Sequence, residues 1–166
     1  EFGPPSWSIP LVEDILSTAD YIKSSKRYEE TRGAPELRTA ISNWYLRRHG
    51  ILIDPEREVL ITHGAAEAVT LAILTATNPG DSIAITDPSY SLYERALGML
   101  GRKACTIKRV ISEHEYCASE SKKHISNALE KSKAIIINSP ENPTGYVMSD
   151  LDWECLSQLC VRHDKW

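Results

Sequence analysis

The chain has 166 residues, 42% of them hydrophobic and 25% charged, with 19 Lys and Arg against 23 Asp and Glu for a net charge of −4. These values sit in the ordinary range of a folded globular chain and exclude a disordered tail, and the length can bury an apolar core without disulfides or a structural metal. An uninterrupted apolar run such as Ala134 to Ile137 is only four residues, far below the roughly 20 of a membrane span, and scattered Lys and Arg leave no basic footprint for nucleic acid or anionic lipid.

A small-molecule partner is therefore the default. The first residue is Glu1, and no basic-then-apolar leader precedes Ile9, so no signal or transit peptide is visible. Cys105, Cys117, Cys155 and Cys160 form no C-x-x-C pair and read as reduced thiols of a cytoplasmic protein. His114 and Cys117 lie three apart without a second ligand pair, so no metal site is expected.

In chain order, Pro10 to Ser24 sets Leu11, Val12, Ile15, Leu16, Ala19 and Ile22 at helical spacing, with proline in the tolerated first turn. Pro35 to His49 repeats the pattern, with Leu37, Ala40, Ile41, Trp44 and Tyr45 on one face and Gly50 placed to end the helix in a left-handed turn. Beyond it, short runs rich in Val and Ile, Glu58 to Thr62, Ser82 to Thr86, Lys103 to Lys108 and Ala134 to Asn138, predict strands. Helical patterns fill the intervals: Ala66 to Thr77, Ser91 to Leu100, Lys122 to Lys131, and Asp150 to His163 with Ser149 as N-cap. Runs such as Ala134 to Ile137 lack polar alternation, so both faces should be covered, which predicts a mainly parallel sheet in a three-layer α/β/α fold with Ile135 and Ile137 deeply buried. Arg109 to Ser121 is polar and unpatterned and reads as an exposed connection. Residues 1–32 differ in character from the repeating units of 33–166 and are expected to pack on a second domain or subunit.

In a parallel sheet, ligands bind beyond the carboxyl ends of the strands. Three loops stand there. His63-Gly64-Ala65-Ala66-Glu67-Ala68 turns from a strand into a helix with small residues, so the open amides suit a phosphate and Gly64 permits close approach of the backbone; equally, small residues make a tight packed turn. Asp87-Pro88-Ser89-Tyr90 sets an aromatic at a helix start, able to stack on a planar ring or simply to pack helix on sheet. Ser139-Pro140-Glu141-Asn142-Pro143-Thr144-Gly145 holds an amide side chain in a loop stiffened by two prolines, suited to one specific hydrogen bond or to ordinary turn chemistry.

The order of these signals resembles the class I and II aminotransferases, fold type I enzymes dependent on pyridoxal phosphate. The matches are Tyr28 five residues before Gly33, Gly33-Ala34-Pro35-Glu36-Leu37-Arg38, Thr62-His63-Gly64-Ala65-Ala66-Glu67-Ala68, Pro79-Gly80-Asp81, Asp87-Pro88-Ser89-Tyr90 and Asn142-Pro143-Thr144-Gly145; Gly3-Pro4-Pro5-Ser6-Trp7-Ser8-Ile9-Pro10 looks like a degenerate form of the family's opening segment. The resemblance implies that 33–166 is part of the family's large, cofactor-binding domain. It implies that Ala65 and Ala66 bind the phosphate through their amides, that Tyr90 stacks on the pyridine ring, and that Asn142 hydrogen-bonds its phenolic oxygen. By the same resemblance Tyr28 reaches a phosphate in the partner of a homodimer and Gly3 borders the substrate carboxylate. An amino group would pass between an amino acid and a 2-oxo acid.

Family members are about twice this length or more, so the resemblance also makes the chain a fragment whose Schiff-base lysine lies beyond Trp166, leaving no catalytic residue to assign. Ser119-Glu120-Ser121-Lys122 imitates the pattern around that lysine but precedes the Asn-Pro-Thr-Gly loop, the wrong order, so Lys122 reads as a solvated surface residue. Two other functions share the scaffold. One is a pyridoxal-phosphate-sensing effector domain of a bacterial transcription regulator, and the other is a lyase or synthase; fold alone does not choose between reactions.

Overall fold

The computed structural model describes residues 28, 30–108 and 119–166. The expected helix from Pro10 to Ser24, Gly3, His114 and Cys117 all lie outside these residues. The chain divides into two compact units, Glu1–Thr62 and His63–Trp166.

In the first unit, α1 spans Pro35–His49, with proline in its first turn and Gly50 closing it at φ 68° as its N–H donates to the Leu46 carbonyl. The buried face is not the apolar one. Leu37, Trp44 and Tyr45 are exposed, whereas Arg38 and Ser42 are buried. Fixed acceptors decide this: the Arg38 guanidinium donates to the carbonyls of Gly33 and Pro55, and Ser42 Oγ donates to the Ile53 carbonyl at 2.5 Å. Amphipathic spacing ranks faces by hydropathy and is blind to such carbonyls.

The expected strand from Glu58 to Thr62 is not formed. The Glu58 amide donates to the Asp54 carbonyl, and the Glu58 carboxylate accepts from the Asp54 amide. The following residues make no sheet ladder; Ile61 N–H donates to the Arg32 carbonyl. A Val- and Ile-rich run becomes a strand only beside a partner, and none of the described strands pairs with this one. Close approach dominates instead: a Cβ on Gly33, at φ 91°, would lie 2.4 Å from Ile61 Cβ.

The second unit carries the sheet. Its elements are α2 (Ala65–Ala76), β1 (Ser82–Asp87), α3 (Ser91–Met99), β2 (Lys103–Lys108), α4 (Ser119–Lys131), β3 (Ala134–Ile136) and α5 (Asp150–His163). The strands run parallel in the order β2-β1-β3. Period-two alternation gives the central strand, β1, two buried faces. Ile83 and Ile85 join Ile73 of α2 and Ala96 and Leu97 of α3 on one side, while Ala84 and Ile107 meet Ile125, Ala128 and Leu129 of α4 and Leu156 and Leu159 of α5 on the other. This is the expected α/β class, with helices flanking a parallel sheet.

Two details differ from the sequence reading. Ile135 and Ile137 are half-buried rather than deeply buried, because β3 is the outer strand of the described sheet, where Ile135 N–H donates to the Trp166 carbonyl at 2.9 Å. Ser121 is buried and helical rather than part of an exposed connection; it lies four residues before Ile125, on the stripe that continues through Ala128 and Leu129.

Candidate functional site

Connectivity sets where the candidate loops lie. The helix α2 ends at Ala76 and a short turn leads into β1. Its Val69 and Ile73 pack on Ile83, Ile85 and Ile136, so it runs back along the sheet. Twelve helical residues rise about 18 Å and six strand residues about 20 Å, which brings the N-terminus of α2 to the carboxyl edge of the sheet. The register pairs Ile85 with Ile136, so the loops after Asp87 and after Ile136 leave neighbouring strands at that same edge.

At the start of α2, Gly64 is the N-cap at φ 81°, ψ 173°, and no side chain caps the helix. That backbone region is essentially reserved for glycine. Nothing lies within 4 Å of where a Gly64 Cβ would be, so among the described residues the glycine is required by its backbone conformation and not by contact with a neighbouring side chain. The first-turn amides of Ala65, Ala66 and Glu67 have no intrahelical acceptor, and Ala65 and Ala66 are exposed. Glu67 turns back, its carboxylate accepting from the His63 amide and lying 3.0 Å from His63 Nδ1. The His63 amide bond, followed by the imidazole, holds the Glu67 carboxyl below its usual range.

Tyr90 is the N-cap of α3 and 38% exposed; its ring meets that of Tyr93 edge-on at 5.8 Å and 88°. Burial, with a smaller contribution from Tyr90, pushes the Tyr93 phenol up. One ring is thus held by its neighbour while keeping exposed surface.

Asn142 is half-buried in a loop fixed from several directions. Glu141 N–H donates to the Tyr146 carbonyl at 2.8 Å, Gly145 N–H to the Glu141 carbonyl at 2.6 Å, and Met148 N–H to Ser139 Oγ at 3.0 Å. Thr144 Oγ1 donates to the buried Glu141 carboxylate and accepts from the Tyr146 amide. Tyr146 OH then donates to Asp152 Oδ2 at 2.6 Å. Asp152 is fully buried and closes a capping box with Ser149, the N-cap of α5. The S-x-x-D spacing signals that box in the sequence; nothing in the sequence marks Tyr146 as its third member.

Tyr28 belongs to the first unit and is fully exposed. Lys122 is exposed on α4, as read from its polar surroundings. Cys105 and Cys160 are free, and burial pushes the Cys160 thiol up. Cys155, however, is disulfide-bonded, which corrects the reading of four reduced thiols: spacing along a chain does not reveal which cysteines meet in space.

A parallel sheet with flanking helices, carrying a helix N-terminus without a side-chain cap, an aromatic and a half-buried asparagine at its carboxyl edge, defines an α/β fold. The chain belongs to the class I and II aminotransferases, whose family model matches residues 10–166. It is 28% identical over 164 residues to the arginine–pyruvate transaminase of Pseudomonas aeruginosa, covering 99% of this chain and 41% of that protein. It is 33% identical over 161 residues to a probable N-succinyldiaminopimelate aminotransferase of Mycobacterium tuberculosis, covering 97% of this chain and 39% of the other. Among solved structures, N-succinyldiaminopimelate aminotransferase from Mycobacterium tuberculosis superposes with a TM-score of 0.86 at 29% identity, over 99% of this chain and 42% of that one. The aspartate aminotransferase of Thermus thermophilus with maleate gives 0.85 at 25% identity, over 99% and 42%. The chain therefore spans about two fifths of the length of these relatives. They are named as transaminases, not as transcription regulators or lyases. The family as a whole depends on pyridoxal phosphate.

Proposed function

We propose that this chain supplies the cofactor-binding part of an aminotransferase that moves an amino group between an amino acid and a 2-oxo acid. The observation that carries the reading is the uncapped N-terminus of α2, with small first-turn residues, at the sheet edge where the Tyr90 and Asn142 loops emerge. Those residues fit pyridoxal phosphate. The Ala65 and Ala66 amides and the helix dipole suit its phosphate, the partly exposed Tyr90 ring offers a stacking face, and the Asn142 amide can donate to the phenolic oxygen.

Bound there, the cofactor supplies an electron sink for the substrate's carbon–nitrogen chemistry. The protein's part is orientation and charge. Tyr90 fixes the plane of the ring, the amides fix its phosphate end, and Asn142 favours the ionised phenolic oxygen by donating to it. Tyr28, exposed on the first unit, reaches a phosphate in the partner of a homodimer. The named relatives differ in amino donor, so the donor is left to assay. No described helix is long and apolar enough to cross a membrane.

The test is Asn142→Ala in the whole protein that contains this chain. Pyridoxal phosphate should stay bound, and the pH midpoint of its absorbance change should rise, because the lost donor had favoured the ionised oxygen. An unchanged titration would remove Asn142 from the site. An amino-donor screen on the same protein then identifies the substrates.

A further inference from the structure

Asn142 lies in a turn whose geometry is set from outside the turn. Tyr146 uses three groups at once: its carbonyl accepts from Glu141 N–H, its amide donates to Thr144 Oγ1, and its phenol donates to Asp152 Oδ2 at 2.6 Å. The same Oδ2 accepts from the Ser149 amide and hydroxyl, each at 2.9 Å, while the Asp152 amide donates to Ser149 Oγ at 3.2 Å. Asp152 is fully buried and sits in the first turn of α5, where the helix dipole favours a negative charge. Leu156 and Leu159 anchor that helix in the core beneath the sheet. A buried carboxyl oxygen that accepts three hydrogen bonds on a core-anchored helix is a rigid reference point.

We propose that Tyr146 and Asp152 are positioning residues that hold the Glu141–Tyr146 turn against α5 and thereby aim the Asn142 amide. The proposal rests on the role given to Asn142 above. Tyr146 acts through the turn, tying its own carbonyl, and so Glu141 N–H, to the cap of α5. Asp152 serves two tasks with one oxygen, capping the helix and receiving the phenol, so the turn moves only with the helix.

Two measurements test this. In the whole protein, Tyr146→Phe removes one hydroxyl and keeps the ring, and the amides of Glu141 and Gly145 should exchange with deuterium about tenfold faster, the scale of losing one buried hydrogen bond. The core amides of β1 should be unchanged, which shows that the variant folds. Unchanged exchange at Glu141 and Gly145 would overturn the proposal. In the whole protein loaded with pyridoxal phosphate, Tyr146→Phe should raise the pH midpoint of the cofactor absorbance in the same direction as Asn142→Ala, by a smaller amount. If Asn142→Ala shifts the midpoint and Tyr146→Phe does not, the tie is merely structural and positioning is refuted. If Asn142→Ala itself shifts nothing, the role of Asn142 fails, and the positioning claim falls with it for that separate, recognisable reason.

Discussion

Arg38 carries a full charge at zero solvent exposure. The placement is tolerable because the guanidinium finds acceptors on all sides: Glu56 Oε1 at 2.9 Å, Glu30 Oε2 at 3.1 Å, the Pro55 carbonyl at 3.1 Å and the Gly33 carbonyl. The hydrogen bond from Arg38 holds the Glu56 carboxyl below its ordinary value. A carboxyl depressed on folding stabilises the fold above its unfolded value, near 4.3, and that stability is lost as pH falls through the lower folded value. The melting temperature should therefore drop on acidification below about pH 4.3, and Glu56→Gln should flatten that drop by a modest amount, since Glu56 is half-exposed. Melts of both proteins between pH 2.5 and 7 check this; identical slopes would refute it. At Gly64 the strain is in the backbone alone, so Gly64→Ala should cost about 1–3 kcal/mol with no steric contribution, read by urea denaturation, and should weaken phosphate binding. No loss of stability would mean that the turn has an alternative conformation.

Packing tells the elements apart. Leu129 of α4 is fully buried among Ile107, Ile125 and Leu156, so Leu129→Ala should lose about 2–5 kcal/mol. Leu151 of α5 is exposed, and Leu151→Ala should stay within about 0.5 kcal/mol. Equal losses in chemical denaturation would contradict the placement of α4 and α5 under the sheet. The same helices were legible in sequence because local signals agree. Pro35 and Gly50 bracket α1, and Ser149 with Asp152 opens α5. Buried arginines were not legible. Arg102 donates to Thr77 Oγ1 at 3.2 Å and to the Thr77 carbonyl at 2.7 Å, closing the end of α2 from 25 residues away, and a charged residue at a helix–strand junction gives no hint of that in sequence.

For the molecule as a whole, the chain spans about two fifths of the length of its relatives. Lys122 and Lys133 are both exposed. The 166-residue chain should show no turnover with pyridoxal phosphate, an amino donor and 2-oxoglutarate, whereas the whole protein should. Turnover by the chain alone would refute the reading that its catalytic amine lies elsewhere.

The sequence by itself determined the α/β class, the helix ends at Pro35, Gly50 and Ser149, and the family, because capping, turn chemistry and motif order are properties of neighbouring residues. Only tertiary structure decided the rest. Glu58 to Thr62 had strand composition without a strand beside it, the exposed and buried faces of α1 were set by carbonyls from Gly33, Ile53 and Pro55, and Cys155 found a disulfide that spacing did not announce. The tie from Tyr146 to Asp152 belongs with these. Hydropathy and propensity rank what each residue prefers, but a hydrogen bond needs a partner at about 3 Å, and where that partner stands is fixed by the folded chain.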